Sequence, residues 1–219
     1  MADHAQDSLF REIDEELKQE HYEKLWKKYG TYIVGAAVLI VLSVAAFKGW
    51  QAYDIKTRMA EGVQFNKALS LTQENKPEAA LDAFSALADK AGDGYGLLAR
   101  FQQAAHLAKS GDKTGAGDIY KKISADSGVP TLYQNLAVIL GVLQDLDTAD
   151  PADINARLAP LTADSNPMRY SAQELSAMLA LRTGDLKKAK EIYTTLSQDA
   201  AAPSGLRTRA GELLAVLGK

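Results

Sequence analysis

Few residues in this sequence have the types and spacing that catalysis or metal binding would require. The three histidines, His4, His21 and His106, lie in different segments and show no metal-ligand spacing. The adjacent carboxylates at positions 14–16 fall in a helical pattern, where a solvated helix face explains them. The chain has no cysteine, which excludes disulfides, thiolate catalysis and zinc–sulfur sites. It also lacks a glycine-rich phosphate loop and a nucleophile elbow, so we predict a protein that is not an enzyme and binds no cofactor or metal.

The charge balance narrows the class of partner. The net charge is −3, and residues 1–28 contain eight acidic and five basic side chains. Residues 50–219 contain 20 acidic and 19 basic side chains and are nearly neutral. Nucleic-acid binding depends on neutralising phosphates with a basic surface, and this sequence offers none. We therefore expect proteins as partners, and neither nucleic acids nor small-molecule substrates.

A long uncharged segment near the N-terminus has the length of a membrane span. Residues 29–47, YGTYIVGAAVLIVLSVAAF, are 19 consecutive positions without a charged side chain. As a helix they would extend roughly 28 Å, close to the thickness of the bilayer hydrocarbon. Lysines flank the segment on both sides, and tryptophan and tyrosine stand at both ends, as at membrane interfaces. We predict a transmembrane helix over residues 29–49.

Two other interpretations of this segment are open. A buried core helix would be equally apolar, but the other predicted helices are amphipathic and none is comparably hydrophobic. A cleaved signal peptide would place Ser43 and Ala45 before its cleavage site. A 28-residue leader with eight acidic side chains is atypical of a signal peptide, so a retained anchor is favoured.

The flanking charges favour one orientation of this span. Three lysines within residues 24–28 precede it, while residues 48–67, the twenty that follow the uncharged segment, contain four basic side chains. The segment before the span is short and the one after it is long, so we expect the N-terminus in the cytoplasm and the C-terminal domain outside. Thr31, Gly35 and Ser43 share a face on which another helix could approach closely.

The residues before the span form an amphipathic pattern. From Leu9 to Trp26, apolar side chains recur at three- and four-residue steps, with acidic residues early and lysines late. We predict a cytosolic leader helix within residues 1–28. It would either orient the anchor at the membrane interface or dock a partner at the inner face, and both roles are open.

After the span, turn signals divide the chain into helical segments of roughly 12–20 residues. Glycine, proline, asparagine and aspartate mark the turns, at Asn75–Pro77, Gly92–Gly94, Ser110–Asp112, Ser127–Gly128, Asp150–Pro151, Asn166–Pro167, Gly184–Asp185 and Pro203. This spacing is typical of paired antiparallel helices, so we predict an all-α domain over residues 50–219.

The domain repeats part of its own sequence at one fixed offset. Small residues, a glycine–aspartate turn and an aromatic residue match at this offset: Ala104, Gly111, Asp112, Ala116 and Tyr120 recur as Ala177, Gly184, Asp185, Ala189 and Tyr193. Half the offset gives a unit of about 36 residues, and one such unit upstream lie Ala80 and Phe84. Alanine permits close approach of helices, and the aromatic ring fills the groove between them.

This order of residues resembles the tetratricopeptide repeat. In that family a first helix ends at a Gly-Asp turn, and a second helix presents an alanine followed four positions later by an aromatic residue. The resemblance implies a solenoid of antiparallel helix pairs. The unit expected over residues 132–162 has the two-helix pattern without the signature, and residues 204–217 are predicted to form a terminal capping helix.

One side chain in this domain is a candidate for partner binding. The resemblance implies an inner groove that holds peptides, and Phe101 would face it; a core position is the alternative. His106 is expected to be a packed or surface side chain without a functional role.

The whole architecture resembles the bacterial ancillary Sec-translocon subunit family. A short acidic leader, a span that closes in Gly49–Trp50 with Tyr53 following, and a tetratricopeptide-like domain that fills the rest of the chain carry this resemblance. It implies an inner-membrane protein with its repeat domain in the periplasm. The implied partners are Sec translocon subunits, a membrane-bound periplasmic chaperone of the prolyl-isomerase type, and exported client proteins.

Two other functions remain open on the sequence alone. A scaffold of the cell envelope, coordinating cell-wall synthesis or division, would use the same anchor and repeats. A hydrolase or isomerase of the envelope would need a polar cluster in a cleft, for which the sequence shows no signal.

Overall fold

The structure is a computed structural model that describes residues 2–92 and 94–218, with side chains from residue 22 onward. Asp93, in the turn predicted at Gly92–Gly94, and the side chains of the amphipathic leader before residue 22 lie outside what it describes. The described ranges contain nine α-helices and no strand: α1 Ala2–Gln73, α2 Pro77–Lys90, α3 Tyr95–Ser110, α4 Lys113–Ala125, α5 Thr131–Asp145, α6 Pro151–Leu158, α7 Arg169–Arg182, α8 Leu186–Gln198 and α9 Ser204–Leu217. A single 3-10 turn, Ala159–Leu161, follows α6.

The predicted all-α class is confirmed, and local signals account for most helix boundaries. Proline occupies the first position of α2 and α6, where its fixed φ suits a helix start and its missing N–H costs nothing. The helices α5 and α6 provide the two-helix unit expected over residues 132–162. The last helix, α9, covers the residues of the predicted capping helix.

The chain divides into two compact units, Met1–Arg58 and Met59–Lys219, and the boundary falls inside α1. In the first unit, the apolar part of α1 exposes its side chains: the most apolar stretch has a mean hydropathy of 2.2 and is 6% buried. Leu39 and Val41 are each 66% exposed. A core helix would bury such residues, so α1 is a candidate membrane span by length, composition and exposure.

The second unit packs its helices in chain order. Its first core cluster joins the end of α1 to α2 and α3, with Phe65 edge-on to Phe84 at 5.5 Å between ring centroids. Further clusters follow along the chain, each built from consecutive helices. Contacts run from α2 to α3, α3 to α4 and α4 to α5, and again from α7 to α8 and α8 to α9. Such neighbour-to-neighbour packing is the organisation of a solenoid.

Candidate functional site

The alanine and aromatic residues of the repeat signature lie in the core of the second unit. Its alanines are completely buried: Ala80, Ala104, Ala116, Ala177 and Ala189. The aromatic residues Phe84, Tyr120 and Tyr193 occupy the same position on α2, α4 and α8 and are also buried. On each of these three helices an alanine lies one turn before the aromatic residue, on the face that packs against the neighbouring helices.

The two glycine–aspartate turns have the same backbone geometry. Gly111 and Gly184 adopt positive φ values of 97° and 78°, which favour glycine because it has no Cβ. The next residue, Asp112 or Asp185, donates its N–H to the carbonyl five residues earlier, at 2.9 Å and 2.8 Å. Together these features form a Schellman ending of α3 and of α7. The aspartate side chain then caps the following helix by accepting a backbone N–H bond, from Gly115 in one turn and from Lys188 in the other.

A second pair of aspartates at the same offset was not singled out by our sequence analysis. Asp126 accepts from the Gly128 N–H at 3.0 Å, and Asp199 accepts from the Ala201 N–H at 2.8 Å. These backbone bonds hold the pKa of each carboxyl below its usual value, assisted at Asp126 by Arg100. The sequence carried a signal for this pair, because each aspartate lies four residues before a proline: Asp126 before Pro130 and Asp199 before Pro203.

Polar contacts hold the middle unit together and join it to the following helix, although this unit lacks the signature. Arg157 on α6 donates to Asp145 at the end of α5, at 2.7 Å. Arg182 at the end of α7 donates to the carbonyl oxygens of Leu146 and Ala149 beyond the end of α5. Because these carbonyls follow a helix C-terminus, the guanidinium satisfies groups that the helix itself leaves open.

A groove of about 580 Å³ opens along one face of the second unit, between α5, α7 and α9, with one residue from α8. We call it the α5–α7–α9 groove. In a stack of helix pairs, the first helices of successive pairs share one face, and the groove lies on that face. Its apolar lining is formed by Ile139, Leu143, Leu175, Met178, Leu181 and Leu213.

A charged pair spans this groove. The Arg209 guanidinium on α9 donates two hydrogen bonds to the Glu174 carboxylate on α7, both at 2.9 Å. Such a bidentate pair fixes the relative position of both side chains. Beside it, Tyr193 lines the groove from α8, and its buried hydroxyl has no hydrogen-bond partner among the described residues. Burial and the nearby Glu174 raise the pKa of Tyr193.

The scan against family models gives a match over residues 23–194, to the family described as tetratricopeptide repeat-like domain. The match covers more than half of the chain. The chain belongs to this family. Comparisons with curated proteins and with solved structures returned no match.

Tetratricopeptide-like repeats typically bind other proteins, so membership in this family suggests that the repeat region is a protein-interaction module. Within the residues that the structure describes, no group of three or more histidine, cysteine, aspartate or glutamate side chains is placed to hold a metal ion. The family match begins before the apolar segment at residues 29–47, so the candidate span and the repeats are parts of one family region.

The two other residues considered from the sequence lie away from the groove. Phe101, the candidate for partner binding, is half-buried on α3 between Tyr120 and Tyr133, with ring centroids 6.0 Å and 6.4 Å away, and does not line the groove. His106 is packed: its ring lies against Phe84, and Nε2 is 3.0 Å from the Thr72 hydroxyl at the end of α1. Burial, and then the charge of Lys109, lower the pKa of His106.

Proposed function

We propose that this protein is a single-pass membrane protein whose repeat domain binds other proteins beside the Sec translocon. In this proposal residues 1–28 are a cytosolic leader, residues 29–49 cross the bacterial inner membrane, and residues 50–219 are periplasmic. Its partners are Sec translocon subunits and a membrane-bound periplasmic chaperone, and its purpose is to assist exported proteins.

One observation carries the proposal. An apolar helix that exposes its side chains and the repeat helices up to residue 194, which form most of an open groove, belong to a single family match. A soluble adaptor has no use for an exposed apolar segment of this length, which water disfavours. Fixed to a membrane, the same segment confines the groove to the layer of solvent through which exported chains emerge. The particular partners proposed are those that the resemblance to the Sec-ancillary family implies.

Orientation is tested first, because the proposal needs the repeat domain on the outer side of the inner membrane. The chain has no cysteine, so single-cysteine variants report without background. We expect Lys187→Cys, on the exposed side of α8, to react with a membrane-impermeant maleimide in spheroplasts. Glu23→Cys, before the apolar segment, should react only after lysis. Labelling in the opposite order would refute the periplasmic placement.

The partners are tested by site-specific photocrosslinking of the full chain in living cells. A photoreactive residue replaces Leu143 in the groove, and a matched control replaces Leu132, which is on the same helix and comparably exposed but outside the groove. We expect crosslinks from position 143 to Sec subunits, the chaperone or exported chains. Crosslinks to cell-wall enzymes instead would refute this proposal in favour of an envelope scaffold. The absence of crosslinks at both positions would contradict a binding role.

A further inference from the structure

The indole ring of Trp26 lies against the backbone of α1 where the uncharged segment begins. Gly30, one turn later, is buried, and a Cβ added there would lie 3.2 Å from two carbons of the ring and 3.4 Å from its Nε1. Carbon atoms pack best at about 3.5–4.0 Å, so the ring can lie this close because Gly30 has no side chain. At Gly35, by contrast, an added Cβ would meet open space. We call the contact of Trp26 with Gly30 the indole seat.

The indole seat holds a hydrogen-bond donor at the edge of the candidate span. Trp26 is 60% exposed, and its Nε1–H has no acceptor among the described residues. An indole combines an apolar ring with one N–H donor, which is why tryptophan favours the layer between lipid hydrocarbon and water. The acceptors in that layer are the ester and phosphate oxygens of the lipids.

Two lysines follow Trp26 directly. Lys27 and Lys28 are exposed, and neither takes part in an ion pair with another described residue. The Lys28 ammonium lies over the Tyr29 ring, 5.2 Å from its centre, which keeps this charge beside the start of the uncharged segment. Both ammonium groups are therefore available to an anion at this level of the helix.

The acidic residues of the leader do not cancel this charge. Residues 22–29 contain three lysines and one acidic residue, Glu23, which lies farther from the uncharged segment than Lys27 and Lys28. Glu20 precedes Tyr29 by nine residues, roughly 13 Å along a helix. This distance exceeds the Debye length of about 8 Å at physiological ionic strength, so earlier carboxylates act weakly at the bilayer edge.

The other end of the candidate span lacks this arrangement. Lys48 stands alone there, and its ammonium donates to Gln51 at 3.3 Å. The next charged residue is Asp54, which forms an ion pair with Arg58 at 2.8 Å. Charge complementarity therefore favours an anionic partner at the N-terminal end of the span.

We propose that residues 26–30 bind the headgroups of anionic phospholipids in the leaflet at the N-terminal end of the span. The ammonium groups of Lys27 and Lys28 pair with the anionic headgroup, and Trp26, held in the indole seat, donates its N–H to a lipid oxygen. This inference rests on the part of the proposed function that places residues 29–49 in a bilayer, and it names the lipids that surround that anchor.

The test measures which lipid lies beside Trp26 by fluorescence quenching. The chain has two tryptophans, so Trp50→Phe leaves Trp26 as the reporter. The full chain is placed in nanodiscs made of equal parts of phosphatidylglycerol and phosphatidylcholine, with bromine on the acyl chains of one lipid or of the other. The composition is the same in both samples, and only the position of the quencher differs. We expect brominated phosphatidylglycerol to quench more, with a local enrichment of about fivefold, the factor expected from one lysine at an anionic surface. High salt should reduce this enrichment.

Variants separate the charges from the indole seat. Lys27→Gln combined with Lys28→Gln should make the two brominated lipids quench equally, whereas the control Lys48→Gln should retain the difference. Gly30→Ala should displace the ring and change the Trp26 emission maximum, whereas Gly35→Ala should leave it unchanged. Circular dichroism of each variant confirms that the helices remain.

A second reporter compares the two ends of the span. Trp26→Phe leaves Trp50, which should show a smaller preference for phosphatidylglycerol than Trp26 does. An equal or larger preference at Trp50 would refute a site confined to the N-terminal end.

The outcomes distinguish the possible errors. Equal quenching of Trp26 by both lipids would refute the lipid preference and leave the proposed function intact. The absence of quenching by either lipid would refute the span on which both proposals rest. A preference that persists without Lys27 and Lys28 would remove these lysines from recognition, and an unchanged emission maximum in Gly30→Ala would refute the indole seat.

Discussion

Asp112 and Asp185, at equivalent positions in two copies of the repeat, make the same hydrogen bond. Each carboxylate accepts from the backbone N–H three residues later, at 2.8 Å from Gly115 and 3.0 Å from Lys188. The residues between the turn and the buried alanine differ in the two copies, yet the helix begins in the same way. The repeat is therefore a structural unit, in which the turn sets where the second helix of the pair begins.

Removing either cap should destabilise the repeat domain. Asp112→Ala or Asp185→Ala leaves a first-turn N–H without its side-chain acceptor, at an expected cost of about 1 kcal/mol each. Asparagine at either position should retain most of the stability, because its side-chain oxygen also accepts. Urea unfolding of the full chain in detergent measures the change. Asp118→Ala, at an exposed site inside α4, is the control and should change the free energy of unfolding by less than about 0.5 kcal/mol; an equal loss there would refute the capping role.

Alanine in the glycine–aspartate turns should also destabilise the domain. With φ values of 97° and 78°, Gly111 and Gly184 hold a conformation in which a Cβ costs about 1–2 kcal/mol. Gly211→Ala is the matched control, since an added Cβ inside α9 meets open space. It should stabilise the helix by about 0.5–1 kcal/mol. Thermal unfolding should therefore shift in opposite directions for the two kinds of glycine, and a shift in the same direction would contradict the backbone argument.

The turns and the buried signature were predictable because their signals are local. Gly111 and Asp112 are adjacent in sequence, and each contributes to the end of one helix or the start of the next. The buried alanine and aromatic residues follow at fixed helical spacing. Asp126 carried a comparable local signal, four residues before a proline, which sequence reasoning missed because aspartate near a turn is common.

The groove could not be predicted, because no local pattern encodes it. Glu174 and Arg209 lie 35 residues apart on different helices, and only the packing brings them together. The unpaired state of the Tyr193 hydroxyl likewise depends on what surrounds it in three dimensions. Phe101, the partner-binding candidate of the sequence, lies on α3 outside this groove, and its role in binding stays a prediction.

Protonation of His106 should weaken the domain at mildly acidic pH. Its pKa is lowered in the folded protein from an ordinary value of 6.5, by burial first and by Lys109 second, so the unfolded chain binds more protons near that pH. Stability is then fully present above about pH 6.5 and decreases as the pH falls through that value toward the lowered pKa. We expect the free energy of unfolding to fall between pH 7 and pH 5.5, and the fall to be smaller in His106→Gln. An identical pH dependence in His106→Gln would show that other groups cause it.

Position 141, where α5 closely approaches α4 and α6, should tolerate no large side chain. A Cβ at this position in α5 would lie 3.0 Å from Arg157 Nη2 and 3.3 Å from the Cβ of Tyr120. Arg157 cannot withdraw freely, because it donates to Asp145 at 2.7 Å. Gly141→Val should therefore cost about 1–3 kcal/mol by overpacking, although valine forms helix better than glycine. Gly205→Val, where an added Cβ meets open space on α9, is the control for helix propensity alone. Chemical denaturation measures the free energy of unfolding of both variants. Equal stability of Gly141→Val and Gly205→Val would mean that α4, α5 and α6 can separate without cost. The close contact at Gly141 would then not hold the middle unit in the stack.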